Sequence, residues 1–298
     1  MGARHLEILA NCRFAFFADK LLGVGEMEEA GQAPDAREVG TLAHAALEKF
    51  YRRRQAAGRL PVVADEAEQH ELDTCLDEAF AEKAAEQPGH PVLRAIERGR
   101  LGEQLWRLIE HEAEHGDELG GGVPTYFELE FGYEGSDSLP ALTIGPPEAR
   151  VLVRGRIDRV DVLPGGKGLV VLDYKLGRRD SQSKKLAEGE AAVTQLQLPV
   201  YALAARAGLI GTGAVVAGAS VDAAFIGLRD GMPTKLLSRT LKDPTLPVVL
   251  ERDLPARLDQ LATQLHAGDF AVDPHDCAFC AYRTVCRVVA LVEDEDDR

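Results

Sequence analysis

Two dissimilar strands joined by a short turn constrain this chain most. Ala149 to Val162 alternates apolar and charged residues, Leu163-Pro-Gly-Gly-Lys-Gly168 is an evident turn, and Gly168 to Tyr174 is strongly apolar. The run Leu169-Val-Val-Leu172 reads as a core strand, so Asp173 sits at its end rather than on a loose surface ribbon. The surrounding order of strands, helix, strand and helix predicts an α/β (α+β mixed) fold with a central mixed sheet flanked by helices.

Helical periodicity accounts for most of the rest. Leu6 to Leu22 has apolar residues at helical spacing, with Cys12 inside it. Asp35 to Arg54 is a second helix whose buried stripe is Leu42, Ala46, Phe50 and Tyr51. Acidic helices through Leu72 to Phe80 and Pro91 to His115 follow, and Gly120 to Gly122 marks their exit. Strands are expected over Tyr126 to Phe131 and Ser220 to Leu228, and helices over Ala191 to Ala207 and Leu250 to Leu265. Residues 55–120 read as a helical insertion within a single domain spanning 1–298.

Side chains alternate across a strand, so Asp173 and Lys175 share a face while Tyr174 points away. Arg154, Arg156 and Asp158 share a face of the preceding strand, and Asp161 falls on the other. If the two strands pair through Gly165-Gly166, Asp158 approaches Asp173. Adjacent carboxylates repel, and a divalent cation is the usual remedy. Mg2+ or Mn2+ suits hard oxygen ligands, polarises a phosphate and acidifies a bound water, while a lysine beside it stabilises charge developing on phosphoryl oxygens. Glu128 or Glu130, on the strand before this hairpin, is a candidate to assist.

Cys277-Ala-Phe-Cys280 and Cys286 form a C-x2-C-x5-C segment, at 270–290, that reads as a metal or cluster site. The fourth ligand could be Cys12, Cys75 or His275. Spacing alone does not separate zinc from iron–sulfur, because soft thiolates suit both. Cys75, alone in an acidic helix, reads as a plain small residue.

Net charge is -15, but much of the acid is local: residues 65–86 hold nine acidic side chains and one lysine, and 293–297 is an acidic tail. Cations gather at Arg150, Arg154, Arg156 and Arg159, and at Arg178, Arg179, Lys184 and Lys185. A nucleic-acid path needs local positive potential, not a positive average. Tight unaided DNA binding is nevertheless not expected, which favours a partner that delivers the strand. No segment combines the length and apolarity of a membrane span or a leader, so a cytoplasmic protein is expected. No phosphate-binding Gly-x4-Gly-Lys-Ser/Thr motif is present, which argues against an ATP-driven motor.

Gly155-Arg-Ile-Asp158 followed by Asp173-Tyr-Lys175 resembles the paired motifs of the PD-(D/E)XK nuclease superfamily, specifically the nuclease domain of RecB- and AddB-type recombination proteins. Gly40-Thr-Leu-Ala-His44 and Gln197-Leu-Pro-Val-Tyr201 are similar to two further motifs of that family, in the same order. The resemblance implies a restriction-endonuclease-like core. It makes His44, Asp158, Asp173 and the Tyr174 carbonyl metal ligands and Lys175 catalytic, with Gln197 supporting the site and Tyr201 placing DNA or the lysine. It also implies a [4Fe-4S] cluster held by Cys12, Cys277, Cys280 and Cys286 that clasps the termini together. Cys12-Arg-Phe-Ala-Phe-Phe17 is similar to the family's leading segment, with Arg13 in place of a proline, and Phe279 and Tyr282 would cover the cluster. The expected activity is Mg2+- or Mn2+-dependent DNA cleavage in repair or recombination, as an exonuclease on single-stranded or helicase-unwound DNA beside a helicase of the AddA or UvrD type. The alternative is an inactive DNA-binding or scaffolding subunit.

Overall fold

Seven of the eight residues of β5 (Gly168–Lys175) are buried, because this strand lies at the centre of a sheet covered on both faces. The computed structural model describes residues 1–24, 35–86, 90–135, 138–187, 192–211, 214–277, 280–283 and 285–286. Phe279, the acidic tail at 293–297 and Ala191 lie outside the described residues.

The five-stranded sheet runs β1 (Val123–Phe131), β4 (Gly155–Val162), β5, β6 (Ser220–Gly227) and β7 (Met232–Pro233). β4 is antiparallel to both β1 and β5, β5 and β6 are parallel, and β7 is antiparallel to β6. Parallel neighbours need a crossover, supplied here by α6 (Arg179–Ala187) and α7 (Gln197–Leu209). A separate two-stranded sheet pairs β2 (Leu142–Ile144) with β3 (Val151–Val153). The mixed α/β architecture expected from the sequence is the one observed.

Two cores sandwich the sheet. One packs α1 (Ala3–Asn11), α7 and α10 (Leu254–His266) on the face that carries Leu169 and Val171 of β5. The other packs α3 (Ala36–Ala56), α4 (Glu66–Glu86) and α5 (Pro91–His115) on the face that carries Val170, Leu172 and Tyr174. Each buried Val or Leu stabilises the fold by about 1.5–3 kcal/mol, so β5 is where a single polar substitution would be felt most. α3 begins where the sequence places it: the Asp35 side chain accepts the Glu38 backbone N–H at 2.7 Å. Its expected stripe, Leu42, Ala46, Phe50 and Tyr51, is buried. The described residues also include the short helices α2 (Arg13–Phe16), α8 (Leu237–Thr240) and α9 (Leu246–Val248).

Three elements differ from the sequence reading. The helix expected over Leu6 to Leu22 breaks at Cys12, whose backbone is extended (φ -161°, ψ 117°). The long strand expected from Ala149 divides at Arg154, because Val151–Val153 pairs with β2 while the Arg154 N–H donates to the Met1 carbonyl at 2.8 Å. Arg154 therefore does not continue the strand that carries Arg156 and Asp158. The helix expected from Ala191 begins only at Gln197.

Candidate active site

The site forms where the β4–β5 ladder ends. Pairing runs from Val162 opposite Leu169 to Arg159 opposite Leu172 and stops there. One rung further the strands are joined differently: the Tyr174 backbone N–H donates to Asp158 Oδ2 at 2.7 Å. Alternation slips at the same level, since Ile157 and Val160 both join the core under α7. On β1 the change is explicit at Glu128, whose φ of +48° is left-handed, between Phe127 in one core and Leu129 against the other. A non-glycine residue held there costs about 1–2 kcal/mol, and such strain is characteristic of functional positions.

The slip gathers one cluster. His44, from α3, places Nδ1 3.3 Å from Asp158 Oδ1 and 3.6 Å from Glu128 Oε1. Its Nε2 lies 3.3 Å from the Tyr174 carbonyl oxygen. Ligand atoms of His44, Glu128 and Asp158 all fall within 4.8 Å of one another. Arg156 closes the outer side, with Nε 2.7 Å from Glu128 Oε2. Of the two glutamates offered by the sequence, Glu128 is therefore the one in the site; Glu130 pairs in register with Arg156.

Asp173, Lys175 and Gln197 form the second cluster, on the α7 side. Lys175 Nζ sits 2.6 Å from Asp173 Oδ2 and donates to Gln197 Oε1 at 2.9 Å. Gln197 Nε2 donates to Asp173 Oδ1 at 2.9 Å and reaches the Tyr201 hydroxyl at 3.2 Å. Gln197 and Tyr201 are one helical turn apart, which places both side chains over the strand end. Gly155 is required beneath them: a Cβ there would lie 2.7 Å from the Phe131 ring and 3.0 Å from that of Tyr201. Gly40 has no such constraint, since its Cβ would meet only Leu176 at 3.7 Å.

Three carboxylates, Glu128, Asp158 and Asp173, are crowded together and shift the titration of the groups around them. Burial and the neighbouring Asp158 charge push the Asp173 carboxyl up to about 7, with Lys175 opposing. Burial disfavours the His44 cation, but the Asp158 and Glu128 carboxylates outweigh it and lift this imidazole to about 10. Asp173 Oδ2 is buried, and its partner is the Lys175 ammonium at 2.6 Å. Crowded carboxylate oxygens, a backbone carbonyl and an imidazole nitrogen fit a divalent cation, which would take the place of the His44 proton. Asp161 is not free to join: Arg159 grips both its oxygens, at 2.6 and 2.7 Å, and reaches Glu112 at 2.6 Å.

The sequence reading gave no sign of Glu7. From α1, its Oε1 accepts the Gln197 backbone N–H at 2.8 Å, at a helix start where the N-cap residue Leu196 makes no side-chain cap. One acidic residue on an amphipathic helix carries no local signal of such a contact.

Across the molecule, Cys12, Cys277, Cys280 and Cys286 line one small cavity with Tyr282. Burial and the three neighbouring cysteines push the Cys277 thiol up. Among the described residues no three cysteine sulfurs lie mutually within 4.8 Å. Cys75 is buried in the α4 core and takes no part. The Asn11 carbonyl accepts the His275 backbone N–H at 2.7 Å, and Arg13 pairs with Asp269 and, at 3.1 Å, with Asp273. The arginine that departs from the leading motif thus ties that segment to the chain approaching the cysteines.

The profile of the PD-(D/E)XK nuclease superfamily matches residues 1–287. The chain is similar to a protein of Symbiobacterium thermophilum named as an ATP-dependent helicase/deoxyribonuclease subunit, at 31% identity over 98% of this chain and 30% of that protein. Proteins of the same name from Moorella thermoacetica and Acetivibrio thermocellus are 30% and 28% identical over 73% and 66% of this chain, and 19% and 17% of their own lengths. The chain thus spans less than a third of the length of these relatives. Among the described residues no helix is long and apolar enough to cross a membrane.

Proposed function

The chain belongs to the PD-(D/E)XK nuclease superfamily, and on that footing we propose that it is a Mg2+- or Mn2+-dependent deoxyribonuclease. The observation that carries this reading is the meeting of His44, Glu128 and Asp158 within 4.8 Å beside the Asp173–Lys175 pair. His44, Glu128, Asp158 and Asp173, with the Tyr174 carbonyl, would hold the cation, and Lys175 would stand beside it. When bound, it supplies Lewis acidity to the scissile phosphate and lowers the pKa of a water. Lys175 orients that water or stabilises charge developing on the phosphoryl oxygens. Gln197 holds both Asp173 and Lys175 in place, and Tyr201 supports Gln197 and helps to place DNA or the lysine.

The finer reading is exonucleolytic cleavage of single-stranded or helicase-unwound DNA during repair, beside a helicase partner. It is supported by similarity to proteins named as subunits of an ATP-dependent helicase/deoxyribonuclease. Residues 1–298 are read as one nuclease domain, with 55–120 as a helical insertion and 270–290 as the segment that joins Cys12. Four thiols line one cavity, which supports a metal or cluster site, and the family resemblance favours [4Fe-4S] over zinc there. Such a cluster would act as a staple between distant parts of the chain. A non-cleaving scaffold is the alternative reading, but crowded carboxylates work against binding an anionic strand.

The test is a Mg2+- and Mn2+-dependent cleavage assay on single- and double-stranded DNA, with anaerobically purified protein and an iron count. Loss of cleavage in Asp173→Ala and Lys175→Ala is expected; cleavage surviving in both rejects the catalytic assignment. Stoichiometric zinc in a colourless protein rejects the cluster.

A further inference from the structure

A groove of about 740 Å3 opens at the β7 edge of the sheet, between α6 and α8. Arg179, Lys235, Arg239 and Lys242 line it, against only two acids, Glu118 and Asp180. This is unusual in a chain of net charge -15. Arg179 is 3.6 Å from Asp180, whose side chain is mostly exposed, and Arg239 donates to a backbone carbonyl, that of Glu118, at 3.0 Å. Lys235 and Lys242 are exposed and, among the described residues, have no ion pair. Four cations around one open trough raise its local positive potential, and an extended anion can meet all four along its length.

One end of the groove, at Arg179, adjoins the strand that ends in Lys175. Lys175 ends β5 opposite Gly227 of β6, and α6 begins four residues later at Arg179. The Arg179 backbone N–H donates to Asp230 Oδ2 at 3.0 Å, which fixes the start of α6 to the turn after β6. β7 runs back along β6 from Met232, opposite Gly227, so Lys235 lies two strand spacings from β5, about 10 Å, and is set back along the sheet from Lys175.

We propose that this groove binds the phosphodiester backbone of the single strand that enters or leaves the site, with Arg179, Lys235, Arg239 and Lys242 each meeting a phosphate. The inference rests on the nuclease reading and adds the path of the substrate to it. Contacts of this kind add affinity without base preference, and each contact on a single strand contributes about 0.7 to the slope of log K against log salt.

The experiment measures equilibrium binding of a fluorescein-labelled oligothymidylate by anisotropy, in EDTA, across a salt series. It compares the parent, the triple variant Lys235→Gln/Arg239→Gln/Lys242→Gln, and a control, Arg206→Gln/Arg252→Gln, on another surface. Thermal melting checks that each protein is folded. The triple variant should bind at least tenfold more weakly with a slope shallower by about 2, while the control matches the parent. Triple-variant binding equal to the parent in affinity and slope overturns the groove, whatever the nuclease assay shows. A parent that binds through the groove but never cleaves with Mg2+ or Mn2+ overturns the nuclease reading and leaves the groove standing. A parent that binds no oligonucleotide overturns the groove as well.

Discussion

The Tyr174 backbone N–H donates to Asp158 Oδ2 at 2.7 Å, one rung beyond the last paired residues of β4 and β5. Asp158 thus has a structural task, accepting that N–H, and a charge directed at His44 through its other oxygen. Asparagine keeps an acceptor and removes the charge. Asp158→Asn is expected to melt near the parent temperature yet lose about 100-fold or more in metal-dependent cleavage, the scale of one preorganised electrostatic contact. Asp158→Ala should lose cleavage and also about 1–3 kcal/mol, because a buried N–H is left unpaired. Parent-like turnover in Asp158→Asn would remove this carboxylate from the chemistry.

Glu128 offers a sharper separation of stability from activity. Its left-handed backbone costs about 1–2 kcal/mol, and asparagine accepts that conformation more readily. Glu128→Asn should therefore melt at or above the parent temperature while cleavage falls and the Mg2+ concentration for half-maximal rate rises. A melting temperature that drops together with activity would mean that Glu128 is only a strand residue.

Much of this site was legible because it lies on regular elements. A buried strand between turn residues fixed which faces Asp173, Tyr174 and Lys175 would present, and a helical turn fixed Gln197 against Tyr201. What alternation could not foresee is the slip at Glu128 and Asp158, where two strands lose phase together and turn Asp158 toward α3. Pattern rules assume an unbroken pleat, and a functional slip violates that assumption. Arg154 and Cys12 depart from their patterns for a related reason: contacts with the amino-terminal residues and the carboxy-terminal segment override the local period there. Glu7 had no signal because its partner is 190 residues away.

Glu7 is a positioning residue for Gln197. Removing a helix-start acceptor costs about 0.5–2 kcal/mol, so Glu7→Ala should lower stability by that amount. It should also lower kcat more than it changes KM, since the displaced group is the amide holding Lys175 and Asp173. Glu7→Gln keeps a side-chain oxygen and should restore most of both. Equal loss in the two variants would point to the Glu7 charge rather than to its hold on the helix.

The cysteine cavity makes a separate prediction. α1 carries Glu7 near its middle and ends at Asn11, whose carbonyl accepts from His275. If the cavity holds the proposed cluster, Cys280→Ala purified anaerobically should carry less iron than the parent, melt several degrees lower and show reduced cleavage. Asp173→Ala should keep its iron. If Cys280→Ala retains full iron and stability, the cavity does not hold the staple.

Arg159 tests what supports the site from the other side of the slip. Its guanidinium pairs with Asp161 and Glu112 and lies over the Tyr51 ring at 4.6 Å, and Tyr51 donates to Glu112 at 2.7 Å. Arg159→Met leaves two carboxylates facing a core without a counter-charge, which should cost about 3–5 kcal/mol in urea unfolding. Even with Arg159 present, burial holds the Asp161 carboxyl above its ordinary range. A raised folded pKa means that the native state binds more protons, so the stability contributed by Asp161 is greatest at low pH and declines as pH rises. Without Arg159 this dependence should steepen, and the deficit of Arg159→Met should shrink on acidification toward the carboxylate range. Arg159 touches neither Asp173 nor Lys175, so cleavage per folded molecule, measured well below the melting temperature, should stay within a few-fold of the parent. A deficit that is constant with pH would show that lost packing, rather than unpaired charge, sets the cost.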